Sequence, residues 1–137
     1  MVQSAFESFL DATSECFINR DFELWRSHIC LPFSIASDVG LDLLSTDAEL
    51  RENFDHYLHA CDVLCLDKIY RVPIGFERCD DGLCLGTYET NLMSGQTRVV
   101  DPYVSTALLE WSDQRFRMRS LIGARGHYPW TNVFPKN

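Results

Sequence analysis

The stretch from Thr97 to Ile122, TRVVDPYVSTALLEWSDQRFRMRSLI, constrains this chain more than any other. From Tyr103 to Trp111, and again from Arg115 to Ile122, side chains alternate in character, and Ser112, Asp113 and Gln114 interrupt them with turn chemistry. The pattern predicts two long antiparallel strands joined by a tight hairpin. With Asp113 and Gln114 as the turn residues, Ser112 falls opposite Arg115, Trp111 opposite Phe116, Glu110 opposite Arg117, Leu109 opposite Met118 and Ala107 opposite Ser120. One face then holds Tyr103, Ser105, Ala107, Leu109 and Trp111 with Phe116, Met118, Ser120 and Ile122. The other sets Glu110 across from Arg117, a favourable cross-strand pair. A slip of one residue would place Glu110 among apolar groups, which argues for this register.

The rest of the chain is placed against that hairpin. Ser4 and Glu7 fit a capping box, and Phe6, Phe9, Leu10, Thr13 and Phe17 recur at helical spacing to about Asn19. Asp21 can cap a second, shorter helix with Phe22, Trp25 and Ile29 inward, ended by Pro32. Residues 33–45 read as a small hairpin turning at Ser37 to Gly40. Thr46 and Glu49 make another capping box, opening a helix with Leu50, Phe54, Tyr57, Leu58 and Cys61 inward and ending near Asp62. Residues 64–77 alternate with Tyr70, Val72, Ile74 and Phe76 on one face, and Pro73 points to an edge or a bulge. Residues 83–93 form the next strand, and a break at Asp101-Pro102 sets off a leading segment of the long stretch.

A chain of 137 residues with 46% hydrophobic residues supports one domain with a full core. Twelve basic against twenty acidic residues give a net charge of −8, and no Lys or Arg run offers the basic footprint that nucleic acid selects. No apolar run approaches the roughly 20 residues of a membrane helix, and MVQSAFESFL lacks the basic start and apolar core of an export signal. No membrane partner and a cytoplasmic location are expected. The six cysteines read as reduced thiols, because their spacings are not the paired gaps of a zinc ribbon and the chain can build a core without bridges. His56 and His59 flank the buried stripe of their helix, so no metal is expected there, and no Gly-rich phosphate loop or nucleophile elbow appears. No cofactor is expected.

A helix pair, a short hairpin, a third helix and then long antiparallel strands resemble the order of the nuclear transport factor 2-like superfamily. The local patterns are NRDFELW at the exit of the first helix, LPF at the hairpin, STDAEL at the third helix and LLEWSDQRFRMR at the closing hairpin. The resemblance covers about residues 4–123. It implies an α+β fold, with three N-terminal helices and a small hairpin packed in a strongly curved, mainly antiparallel sheet of long strands, a cystatin-like cone. It also implies a pocket at the open end and frequently a homodimer through the outer sheet face. The whole chain, 1–137, is then one such domain, with residues 124–137 as a docking tail whose His127, Tyr128, Pro129, Trp130 and Phe134 are too aromatic for a solvated terminus.

Relatives of this fold include steroid isomerases, SnoaL-type polyketide cyclases and dehydratases, which use Asp, His or Tyr within the pocket. Where the isomerases place a Tyr on the first helix, this chain has Phe6, Phe9, Leu10, Thr13 and Phe17, and no catalytic residue is assigned. Pocket candidates are Phe17, Trp25, Phe54 and Tyr57 from the helices, with Tyr70, Glu89, Tyr103, Ser105 and Ser120 from the sheet. Glu89 shares a face with Thr87 and Asn91 that pattern leaves open between cavity and solvent. The outer face, with Val104, Thr106, Leu108 and Leu121, is expected to meet a second copy. The functional expectation is an apolar pocket for an unidentified apolar small molecule, with lyase- or isomerase-like chemistry open; the alternative is a non-catalytic dimerisation or association module.

Overall fold

The computed structural model describes residues 2–131. Its elements are α1 (Val2–Ile18), α2 (Phe22–Ser27), β1 (Ile29–Ser37), β2 (Gly40–Leu44), α3 (Asp47–Leu64), β3 (Lys68–Arg78), β4 (Leu83–Ser94), β5 (Thr97–Arg98), β6 (Tyr103–Ser112), β7 (Arg115–Ala124) and α4 (Tyr128–Thr131). The helices pack on a curved sheet of order β2-β1-β7-β6-β4-β3, with β5 paired to the end of β4. β1 and β7 run parallel and every other pairing is antiparallel. Among the described residues no helix is long and apolar enough to cross a membrane.

Local chemistry accounts for the starts of α2 and α3. The Asp21 carboxylate accepts from the Leu24 N–H at 3.1 Å and starts α2. Thr46 and Glu49 exchange the two bonds of a capping box at the start of α3, with the Thr46 hydroxyl accepting from the Glu49 N–H at 3.1 Å. Two expectations are corrected here. Ser4 and Glu7 lie inside α1, which already runs from Val2, and Ile29 opens β1 because α2 closes at Ser27 with His28 as its cap.

The β6–β7 hairpin holds its expected register from Ser112↔Arg115 through Leu109↔Met118. Asp113 and Gln114 both take positive φ, 53° and 62°, the two-residue turn whose twist suits a hairpin. Beyond Met118 the register departs from expectation. Arg119 is an extra residue in β7, so Leu108 pairs with Ser120 and Ala107 with Leu121. Because side chains alternate with period two, this one bulge exchanges the faces of Ser120 and Leu121. Ser120 turns outward, its hydroxyl 2.6 Å from that of Ser34 on β1. Released from the ladder, Arg119 pairs with Glu110 at 2.9 Å, while Arg117, opposite Glu110, donates to the Ser112 hydroxyl.

A second bulge, between Pro73 and Gly75, breaks the face expected for β3. Tyr70 and Val72 stay with Asn91 and Glu89 on the outer side. Phe76 turns inward onto Phe6 and Phe116, at centroid distances of 5.5 and 5.8 Å. The core is aromatic, with Phe17 against Trp25 (4.9 Å) and Phe54 (4.8 Å), and with Phe6, Phe33 and Leu109 fully buried. Each such side chain contributes roughly 1.5–3 kcal/mol by leaving water. Gly123, at φ 81°, lets the end of β7 pass the Val104 carbonyl, from which a Cβ would stand 2.9 Å. The chain then returns across α3, where the His127 ring lies 4.8 Å from His56 and 4.9 Å from Tyr57. Phe134 lies outside the described residues.

Candidate functional site

The helices and the inner sheet face enclose a cavity of about 90 Å³, partly open to solvent. Its helical wall is Phe9, Thr13 and Phe17 of α1, Trp25 of α2, and Asn53, Tyr57 and Cys61 of α3. Its sheet wall includes Ile69 and Arg71 of β3, Tyr88 and Thr90 of β4, Tyr103 and Ser105 of β6, and Leu121 of β7; Arg125 and Trp130 close it from the returning tail.

Of the pocket candidates, Phe17, Trp25, Tyr57, Tyr103 and Ser105 line this space. Phe54 does not; it is fully buried among Phe17, Phe22 and Trp25. Tyr70 and Ser120 face outward for the reasons of register given above. Glu89 also lies on the outer side, between Val72 and Val104, where it accepts from the Asn91 amide at 3.4 Å. Asn91 is nonetheless buried there, because Arg98 of β5 reaches across and donates to its carbonyl oxygen at 3.0 Å. On the outer face Val104 is 52% exposed and Thr106 and Leu108 are half-buried. Leu121 is not there: it faces the cavity, and Ile122, 55% exposed, takes the outward place opposite Thr106.

The residues that sequence reasoning missed are the polar ones. Arg71 and Arg125 both line the cavity, and among the described residues neither forms an ion pair. Arg71 donates through Nη1 to the Ser14 hydroxyl at 2.8 Å and places its guanidinium 5.8 Å from the centre of the Tyr88 ring. The Nε atoms of Arg71 and Arg125 and the indole Nε1 of Trp25 are buried with no hydrogen-bond partner. A signal for Arg71 was present: once Pro73 forces a bulge, Ile69 and Arg71 fall on the side that Phe76 occupies beyond it.

Electrostatics keep the cavity's phenols protonated. Burial pushes Tyr57, Tyr88 and Tyr103 up; Arg71 opposes this at Tyr88 and Tyr103, as do their hydrogen bonds with Ser105 and Thr90 respectively. Tyr57 spends its hydroxyl on the Arg125 carbonyl at 3.0 Å. The Cys61 thiol is pushed up to about 11 by burial, and the neighbouring Asp62 adds to this. Among the described lining residues there is no Asp, Glu or His. The wall therefore offers hydrogen-bond donors and cations and no group that accepts a proton at neutral pH.

No family model matches the chain, and no curated protein matches its sequence. Solved structures do match. A nuclear transport factor 2-like protein of unknown function from Shewanella oneidensis superposes with a TM-score of 0.66 at 10% identity, over 89% of this chain and 98% of that one. A candidate dehydratase of the same family from Streptomyces avermitilis gives 0.62 at 17% identity, over 87% and 91%. A candidate ketosteroid isomerase from Shewanella frigidimarina gives 0.59 at 12% identity, over 86% and 93%. At these identities the likeness shows the fold: this chain has the nuclear transport factor 2-like α+β fold.

Proposed function

We propose that this protein binds a small molecule in the cavity between its helices and its sheet, without acid–base catalysis. The observation behind this reading is one partly open space with aromatic walls onto which Trp25, Arg71, Tyr103 and Arg125 all converge. A lyase- or isomerase-like step would need a base near neutral pH, and the described wall holds protonated phenols and guanidinium groups instead. Six unpaired thiols fit a reducing compartment such as the cytoplasm. The test is NMR titration of the labelled protein with small neutral probes such as butanol and benzyl alcohol. Saturable shifts at Thr13, Tyr88 and Leu121 are expected; a panel that moves none of them overturns the reading.

A second reading concerns assembly. Val104, Ile122, Leu41 and Leu43 are exposed apolar residues on the outer side of the sheet, a set that favours contact with another copy. A homodimer through this face predicts a sedimentation mass twice that of the chain, reduced to the monomer by Val104→Lys with Ile122→Lys. A wild type that sediments as monomer at micromolar concentration removes it.

A further inference from the structure

We propose that the ligand of this cavity is a small carboxylate, its anionic head held by Arg71 and Arg125 and its apolar body by the aromatic wall. The inference rests on the ligand-binding reading above and adds the chemical class. Two guanidinium groups share the lining with no carboxylate among the described residues there. Each leaves its buried Nε without a partner, as does the Trp25 indole nitrogen. Buried charges and donors are costly unless an opposite charge and acceptors meet them, so the arrangement is incomplete as it stands.

The carboxylate that holds the tail does not complete it. Asp38 accepts from the backbone N–H of Gly126 at 3.1 Å and forms no ion pair with Arg125. Arg71 is steadied by the Ser14 hydroxyl on one side and the Tyr88 ring on the other, so its fork is pre-set. Both guanidinium charges act on the Tyr103 phenol, which lines the same space. Two oxygens of a carboxylate match two forks. A phosphate would leave further oxygens against a mainly apolar wall. The volume of about 90 Å³ suits a short acid, with any longer body reaching the open side.

The experiment measures affinities of the full chain, by calorimetry and thermal shift, for butyrate against butanol, benzoate against benzyl alcohol, and inorganic phosphate. Each acid is expected to bind about tenfold or more tightly than its alcohol, the size of a charge-assisted hydrogen bond. Arg71→Gln and Arg125→Gln should each bring the ratio of acid to alcohol affinity down toward one, and a ratio that stays at about tenfold in both variants overturns their assignment. Acids and alcohols binding equally overturns the carboxylate assignment and leaves the pocket standing. Phosphate binding as tightly as the acids overturns it in favour of an anion site without selectivity for an apolar body. If no probe binds, the pocket reading falls and this inference with it. Should a variant fail to fold, the wild-type ratio of acid to alcohol still decides.

Discussion

The ring of Phe6 lies over Gly86 so closely that a Cβ placed on Gly86 would stand 2.4 Å from Phe6 Cε1. Phe6 is fully buried and backed by Phe76 at 5.5 Å, so its ring has little room to retreat. Gly86→Ala should therefore destabilise the protein by about 1–3 kcal/mol, although alanine suits a strand no worse than glycine. The measurement is a urea midpoint that falls with the slope unchanged. Phe6→Leu in the same chain should return part of the loss; an unchanged midpoint in Gly86→Ala would refute the contact.

The Tyr57 hydroxyl of α3 ties down the returning tail, donating to the Arg125 carbonyl at 3.0 Å. Removing it in Tyr57→Phe should cost about 1 kcal/mol. Hydrogen exchange should quicken first at Gly126, whose N–H is held by Asp38, and at Trp130. Exchange quickening uniformly across the sheet would show instead that this bond supports the whole fold and not the tail in particular.

Acid should weaken the same region. His127 is pulled from its ordinary 6.5 down to about 4, chiefly by burial and then by His56. The folded pKa is the lower one, so between pH 6.5 and about 4 the unfolded chain binds a proton that the folded chain refuses. The stability associated with neutral His127 is complete above 6.5 and is lost as pH falls through that window. A melting temperature that drops more steeply there in the wild type than in His127→Gln is the expected result.

Thiol chemistry should sort the six cysteines by position. Cys65 and Cys79 are exposed, whereas Cys16 and Cys84 are buried and burial pushes the Cys16 thiol up to about 12. A thiol reagent at pH 8, followed by peptide mass mapping, should modify Cys65 and Cys79 well before the other two, which should react only in denaturant. Cys61 lines the cavity, and a bound occupant should slow it further.

Much of the fold was legible because it is written in local contrasts. The Trp111–Phe116 and Glu110–Arg117 pairs, the Asp113–Gln114 turn and the Thr46–Glu49 cap each need only neighbours a few residues apart. The face of Ser120 was not legible, since the bulge at Arg119 is set where β7 meets β1, whose Ser34 lies 86 residues before Ser120. The cavity suffered from the rule that strands turn apolar residues inward. That rule put Tyr70 inside and left Arg71 out, and the structure reverses both. Asn91 misleads in the other sense, a buried polar residue on the outer side under Arg98.

Pro73 has a further consequence for how the protein behaves in crowded solution. β3 is a margin of the sheet, and its neighbours Val72 and Ile74 are exposed and apolar, the composition that invites another chain to dock alongside and extend the ladder. Pro73 supplies no N–H, and the bulge beside it puts the strand out of step. An intruding strand meets a gap in the donor row where growth would have to pass. The residue that costs the sheet its regularity thus keeps it finite.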